Sequence, residues 1–210
     1  MTIRSNNSTQ RRVFKNTALV AFIGIAIGIT LFVQQPADAA NDKIHTIDDM
    51  KKTTYSKYVG ETGEITLPSN FRQNWVHLGS WVVSDTKAPG YGFHDVYTQP
   101  EAARSFQKNG TFPDGAVLVK EIRKIASGDL TTGHAEWASE NAVWFVMVKD
   151  TEGRFKENPH WGEGWGWALY EAKDPIKNVS KGYIETCLAC HVPAKKTDWI
   201  YTQGYPKLKP

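Results

Sequence analysis

Residues 116–125 read Ala116-Val117-Leu118-Val119-Lys120-Glu121-Ile122-Arg123-Lys124-Ile125, and the density of Val, Leu and Ile makes this stretch a β-strand. One face of that strand carries Ala116, Leu118, Lys120 and Ile122, which places an amine among apolar neighbours. Three further stretches are rich in Val, Trp, Phe and Tyr: Trp75 to Val83, Phe93 to Thr98 and Ala142 to Lys149. A fifth runs from Gly164 to Ala172. The breaks between them carry turn chemistry, as in Lys87-Ala88-Pro89-Gly90 and Lys108-Asn109-Gly110. Pro100 to Gln107 predicts a short helix with proline in its first turn and Gly110 as its stop. A second helix is predicted over Pro175 to Ala189. Hairpin-length connections favour antiparallel pairing. The expected fold is therefore α+β, a mainly antiparallel sheet of about five strands with flanking helices.

The first 39 residues have a different texture. Basic Arg4, Arg11, Arg12 and Lys15 precede an uncharged apolar run from Thr17 to Val33, and Ala37-Asp38-Ala39 supplies small residues at a cleavage site. This is an export signal with cleavage expected after Ala39; if it stayed uncleaved, the run would be a marginal membrane anchor. Its removal takes four of the 25 basic residues and one of the 22 acidic ones. The mature chain is then formally neutral, so its bulk charge calls for neither nucleic acid nor an anionic membrane. Residues 40–64 read as a polar arm and residues 65–210 as one domain.

The chain has two cysteines, and they stand in Cys187-Leu188-Ala189-Cys190-His191. In an oxidising compartment a disulfide would be the default, but two thiols three residues apart with an adjacent histidine form the attachment motif of a c-type haem. The spacing covers about one helical turn, so both sulfurs reach one haem edge and the imidazole reaches the iron. Cys187 and Cys190 are thus the covalent anchors and His191 the metal ligand. A redox dithiol or a zinc half-site would use the same residues, the latter only with further ligands from among His45, His77, His94, His134 and His160. A low-spin electron carrier needs a sixth ligand such as methionine. Met50 and Met147 are the two candidates outside the signal, and Met147 sits in an apolar strand where packing explains it.

Asp95-Val96-Tyr97 ahead of Pro100-Glu101, the run Gly110-Thr111-Phe112-Pro113-Asp114-Gly115 leading into Val119-Lys120-Glu121, and Lys196-Thr197-Asp198 with Tyr205-Pro206 after the haem motif resemble the cytochrome P-460 family. That family includes the cytochromes c′-beta. The resemblance spans Leu67 to Leu208. It implies an antiparallel β fold with C-terminal haem attachment and action on a small nitrogen compound. In the P-460 branch a lysine is bonded to the haem macrocycle and hydroxylamine is oxidised; the matching residue is Lys120. In the c′-beta branch the crosslink is absent and an apolar pocket binds nitric oxide. The resemblance further implies a distal carboxylate in the enzymes, but here Phe145 stands near that position. Glu140, at the strand edge, could substitute under a shifted register. His94 falls where the family places a polar distal residue, and a solvent-facing strand histidine would leave the same pattern.

Two chemical questions stay open on these residues. Lys120 could reach water from a sheet rim, or stand beside the haem with a depressed pKa and a nucleophilic amine. In Gly164-Trp165-Gly166-Trp167-Ala168-Leu169 the glycine and alanine face is flat enough for a haem or for another element of the protein. The functional expectation is a periplasmic mono-haem oxidoreductase acting on hydroxylamine or nitric oxide, with Lys120, His94 and Glu140 as catalytic candidates. A soluble redox partner and a homodimer are expected with it. A nitric oxide binding protein and a simple electron carrier are the alternatives.

Overall fold

The computed structural model describes residues 55–209; the signal segment, residues 40–54 of the arm and Met50 lie outside the described residues. Its elements are helix α1 (Phe71–Asn74), strands β1 (Val76–Val83) and β2 (Gly92–Thr98), helix α2 (Pro100–Asn109), and strands β3 (Val117–Leu130), β4 (Gly133–Lys149), β5 (Trp161–Gly162) and β6 (Trp165–Glu171). The six strands form one sheet in the order β1-β2-β3-β4-β6-β5, and every pairing is antiparallel. The expected mainly antiparallel α+β fold is what forms. The added strand is the two-residue β5. It joins β6 through Glu163 and Gly164, with φ of 57° and 77°, the two left-handed residues that a type I′ hairpin turn requires.

Helix α2 follows its sequence signals. Pro100 opens it, Ala102, Ala103 and Phe106 are buried, and Gly110 at φ 72° ends it by donating its N–H to the Phe106 carbonyl at 2.7 Å. Strands β3 and β4 are longer than predicted. Beyond Ile122 they continue as a hairpin in which Ile125 pairs with Ala138 and Leu130 with Gly133, after two register shifts. Residues 126–141 are largely polar, so no apolar alternation announces this ribbon.

The helix predicted over Pro175 to Ala189 does not form as such. Residues 175–183 are instead drawn onto the sheet. Val179 donates to the Leu169 carbonyl at 2.8 Å, the Asn178 carboxamide accepts from Leu169 N–H at 3.1 Å, and Tyr183 donates to the Pro159 carbonyl at 2.9 Å. Gly182 at φ 107° breaks any remaining helical path. Only Ile184–Leu188, a π turn, and Ala189–His191, an α turn, are helical, followed by a 3₁₀ turn at Val192–Thr197 and another at Pro206–Leu208.

The sheet buries both faces. On one, Leu78, Val96, Leu118, Met147, Trp165 and Trp167 pack against α2 and the C-terminal turns, including Cys187, Trp199, Tyr205 and Leu208. On the reverse, Val117, Val119, Val146, Val148, Ala168 and Tyr170 pack against Ile65, Phe71 and Trp161, with Tyr55, Tyr58 and Val59 added from the arm. Among the described residues no helix is long and apolar enough to cross a membrane.

The C-terminal tail docks on β1 so closely that a Cβ at Gly79 would lie 2.0 Å from the Gly204 carbonyl oxygen. Backbone on both sides leaves no side chain to yield. Gly79→Ala should therefore destabilise the domain by about 1–3 kcal/mol, the usual cost of overpacking, measured as a lowered urea midpoint at unchanged slope.

Candidate haem-binding site

Antiparallel pairing sets side chains from neighbouring strands side by side. On the face that packs against the C-terminal turns, Val96 of β2, Lys120 of β3, Phe145 of β4 and Leu169 of β6 form one cross-strand row. His94, Ile122 and Val143 form the next row, and Leu118, Met147 and Trp167 the row on the other side. The Leu118–Trp167 row is buried, whereas Lys120, Phe145, Leu169 and Val143 keep part of their surface accessible. The apolar face is thus covered at one end and partly open at the other.

The π turn and the α turn after it carry the cysteine pair to this face. Cys187 is buried within the core cluster and Cys190 is exposed. Both thiols are free, and burial pushes Cys187 up to about 11. His191 has its Nδ1 2.7 Å from the Trp199 carbonyl. A carbonyl only accepts, so Nδ1 carries the proton and Nε2 keeps a free lone pair. Burial takes the imidazole down to about 4, with the Trp199 bond opposing and the Lys120 charge adding. The ring is therefore neutral, as a metal ligand must be. Trp167 packs edge-on against it with ring centroids 4.8 Å apart.

Lys120 is the electrostatic hub. Its Nζ lies over the Phe145 ring, 4.4 Å from the centroid. Its side chain is half-buried, which partly desolvates the ammonium. That desolvation lowers its pKa to about 8, against the opposing pull of Cys190 and Cys187. Roughly a tenth of the amine is then neutral near pH 7. The same charge acts on His94 and His191, while part of the lysine stays accessible at the open end of the face.

His94 is buried against Trp81, with centroids 4.6 Å apart. Its Nε2 donates to the Gly90 carbonyl at 2.6 Å, which leaves Nδ1 as an acceptor, buried and without a partner. Burial lowers its pKa, and the Lys120 charge lowers it further, against the Gly90 bond.

Glu140 is not brought to this group. The register sets Phe145 opposite Lys120, and Glu140 lies on the outer ribbon with its carboxylate exposed and paired with Lys124 Nζ at 2.9 Å. Met147 is packed in the core. His77, His134 and His160 are engaged elsewhere, with Asp95 at 3.3 Å, Asp129 at 2.8 Å and Ser180 at 2.9 Å respectively. Among the described residues no three His, Cys, Asp or Glu side chains gather as a metal site, so the zinc half-site finds no further ligands among them; His45 lies outside the described residues. The flat glycine face of β6 lies on the reverse side, where a Cβ at Gly166 would meet the Trp161 ring at 2.7 Å; it serves packing within the protein. A cavity of about 700 Å³ between residues 153–165 and Lys181–Glu185 includes none of the site residues.

Three contributors escaped sequence reasoning. Trp199 supplies a backbone carbonyl, which leaves no trace in residue type. Trp167 reads as ordinary core. Lys149 pairs with Asp198, 49 positions away, at 2.5 Å, and only the Lys196-Thr197-Asp198 motif hinted at one partner.

The residues fit a haem on grounds beyond the motif. A neutral imidazole presents a free Nε2, two unpaired thiols lie beside it, a partly open apolar row adjoins them, and a buried nitrogen at His94 lacks a partner. The family model described as Cytochrome P460 matches residues 68–202, more than half of the chain. No curated protein matches the chain.

The lowered pKa of His94 carries a sign. Below its ordinary value of about 6.5 the unfolded chain gains a proton here before the folded one does, so stability falls as pH drops through that value. Urea denaturation at several pH values should show a shallower acid-side loss in His94→Gln than in the wild type.

Proposed function

The chain belongs to the cytochrome P460 family and is a haem cytochrome; from that premise we propose an exported mono-haem c-type cytochrome that acts as an oxidoreductase on hydroxylamine or nitric oxide. Thioether bonds at Cys187 and Cys190 hold the macrocycle in this reading, and His191 Nε2 ligates the iron. When bound, the haem supplies the electron acceptor and a coordination position for a small ligand. The protein's own residues do the rest.

The observation that carries the reading is the placement of Lys120. Its amine stands in the apolar row, within electrostatic reach of both thiols, and is kept partly neutral by burial. A neutral amine is the nucleophilic form, and it supports a Lys120 crosslink to the haem of the kind expected in the hydroxylamine-oxidising branch. Oxidation of hydroxylamine releases protons as well as electrons. His94, neutral through burial and with Nδ1 unpartnered, is suited to accept one, whereas Glu140 is too far out on the ribbon to take part. Phe145 and its apolar neighbours line the same space with nonpolar surface.

Phe145 also favours the second reading. An aromatic residue where a proton-moving carboxylate would stand suits a protein that binds nitric oxide without turnover. In either case the proposed setting is the periplasm, reached through residues 1–39, with a soluble cytochrome as electron partner and a homodimer as the working form.

Lys120→Ala should change the optical spectrum of the ferrous protein; coincident spectra would eliminate the crosslink. In steady-state hydroxylamine oxidation, His94→Gln should lower kcat by about 10²-fold and Glu140→Gln should leave it unchanged. Wild-type turnover no greater than that of free haem would favour gas binding.

A further inference from the structure

The C-terminal segment contains two consecutive left-handed residues that are not glycine, Asp198 at φ 56° and Trp199 at φ 68°. For non-glycine residues, and above all for a bulky tryptophan, this conformation is unfavourable and persists only where the surroundings over-determine it. The strain lies at Trp199, whose carbonyl is the acceptor for His191 Nδ1–H.

What holds the two residues is a set of contacts around the Asp198 carboxylate. Oδ1 accepts from Lys149 Nζ at 2.5 Å and Oδ2 accepts from Phe112 N–H at 2.8 Å. Both charged side chains are nearly inaccessible, at 11% for Lys149 and 7% for Asp198. A pair so placed is not a surface ion pair screened by solvent. Lys149 is itself fixed at the end of β4. Its N–H donates to the Ala116 carbonyl at 2.8 Å, its carbonyl accepts from Gly115 N–H at 2.9 Å and from the Tyr55 hydroxyl, and its ammonium lies over the Trp165 ring at 4.7 Å. On the other side of the turn, the Thr197 hydroxyl lies 3.0 Å from the Ala194 carbonyl and 2.7 Å from that of Ile200.

We infer that the buried Lys149–Asp198 pair is the positioning device for the proximal histidine: anchored on the sheet, it locks the left-handed Asp198-Trp199 turn and so aims the Trp199 carbonyl at His191 Nδ1. The inference rests on the reading of His191 as the haem ligand. A strong Nδ1–H bond makes an imidazole a more basic ligand and favours the ferric state. Lys149 and Asp198 would thereby tune the iron–histidine bond through the Trp199 carbonyl.

The test is resonance Raman spectroscopy of the ferrous haem-loaded protein, combined with a reductive titration. Lys149→Gln and Asp198→Asn should each move the iron–histidine stretch to lower frequency and raise the midpoint potential, and Lys149→Arg should restore both. A purely structural role would lower the unfolding midpoint and leave band and potential in place, which would overturn the proposal. Lys149→Gln keeps Asp198 and its bond from Phe112, so it decides the matter even if Asp198→Asn fails to fold. A His191→Gly variant with the wild-type haem spectrum and midpoint potential would instead refute His191 as the ligand, a failure of the functional reading distinguishable from this one.

Discussion

The Trp199 carbonyl holds His191 Nδ1 at 2.7 Å, which fixes the ring and leaves Nε2 free in the tautomer that a metal ligand needs. Much of the C-terminal region is organised around that bond. The chain is pulled off a helical path by its contacts with β6 and Pro159, wound into one π turn and one α turn, and then reversed through Asp198 and Trp199 so that the carbonyl faces back. Each step is locally unfavourable or neutral. The compensation comes from burial of Trp199, Ile200, Tyr205 and Leu208 against the sheet, which contributes about 1.5–3 kcal/mol for each large apolar side chain.

The sheet meets this segment with a face that is apolar except where chemistry is placed. Lys120 and His94 are polar exceptions on that face, and their immediate neighbours in sequence, Glu121 and Asp95, point to the reverse face. There Asp95 and Glu121 are cross-strand partners. Like charges directly opposite would repel, and the arrangement is stable because Arg72 bonds Glu121 through two nitrogens, with Asn141 and Trp144 also donating to it. Ser80 bonds Asp95 at 2.5 Å. The polar network behind the sheet is closed and satisfied, whereas His94 Nδ1 on the front is left without a partner. That contrast sets the two faces of the sheet apart.

The legible parts of the sequence were those written in local signals. Pro100 and Gly110 bracket α2 as proline and glycine should, and the apolar stretches announced the strands. The haem motif announced itself in five residues. The outer ribbon of β3 and β4 was not legible, because residues 126–141 pair through backbone without burying an apolar face. Nor was the loss of the predicted 175–189 helix, which is decided by hydrogen bonds to Leu169 and Pro159 that no local pattern encodes. The Lys149–Asp198 pair and the Trp199 carbonyl depend on contacts between distant segments and on backbone conformation. Glu140 shows the converse: a carboxylate near the right sequence position, removed from the site by strand register.

The central claim is that this cytochrome carries its haem covalently at Cys187 and Cys190 beside Lys120. Proteolytic digestion of the denatured protein followed by mass spectrometry tests it most directly. Haem should remain on the peptide containing Cys187 to His191, and a crosslink would bring the Lys120 peptide with it. Recovery of unmodified Cys187 and Cys190 peptides, with haem released on denaturation, would contradict the account.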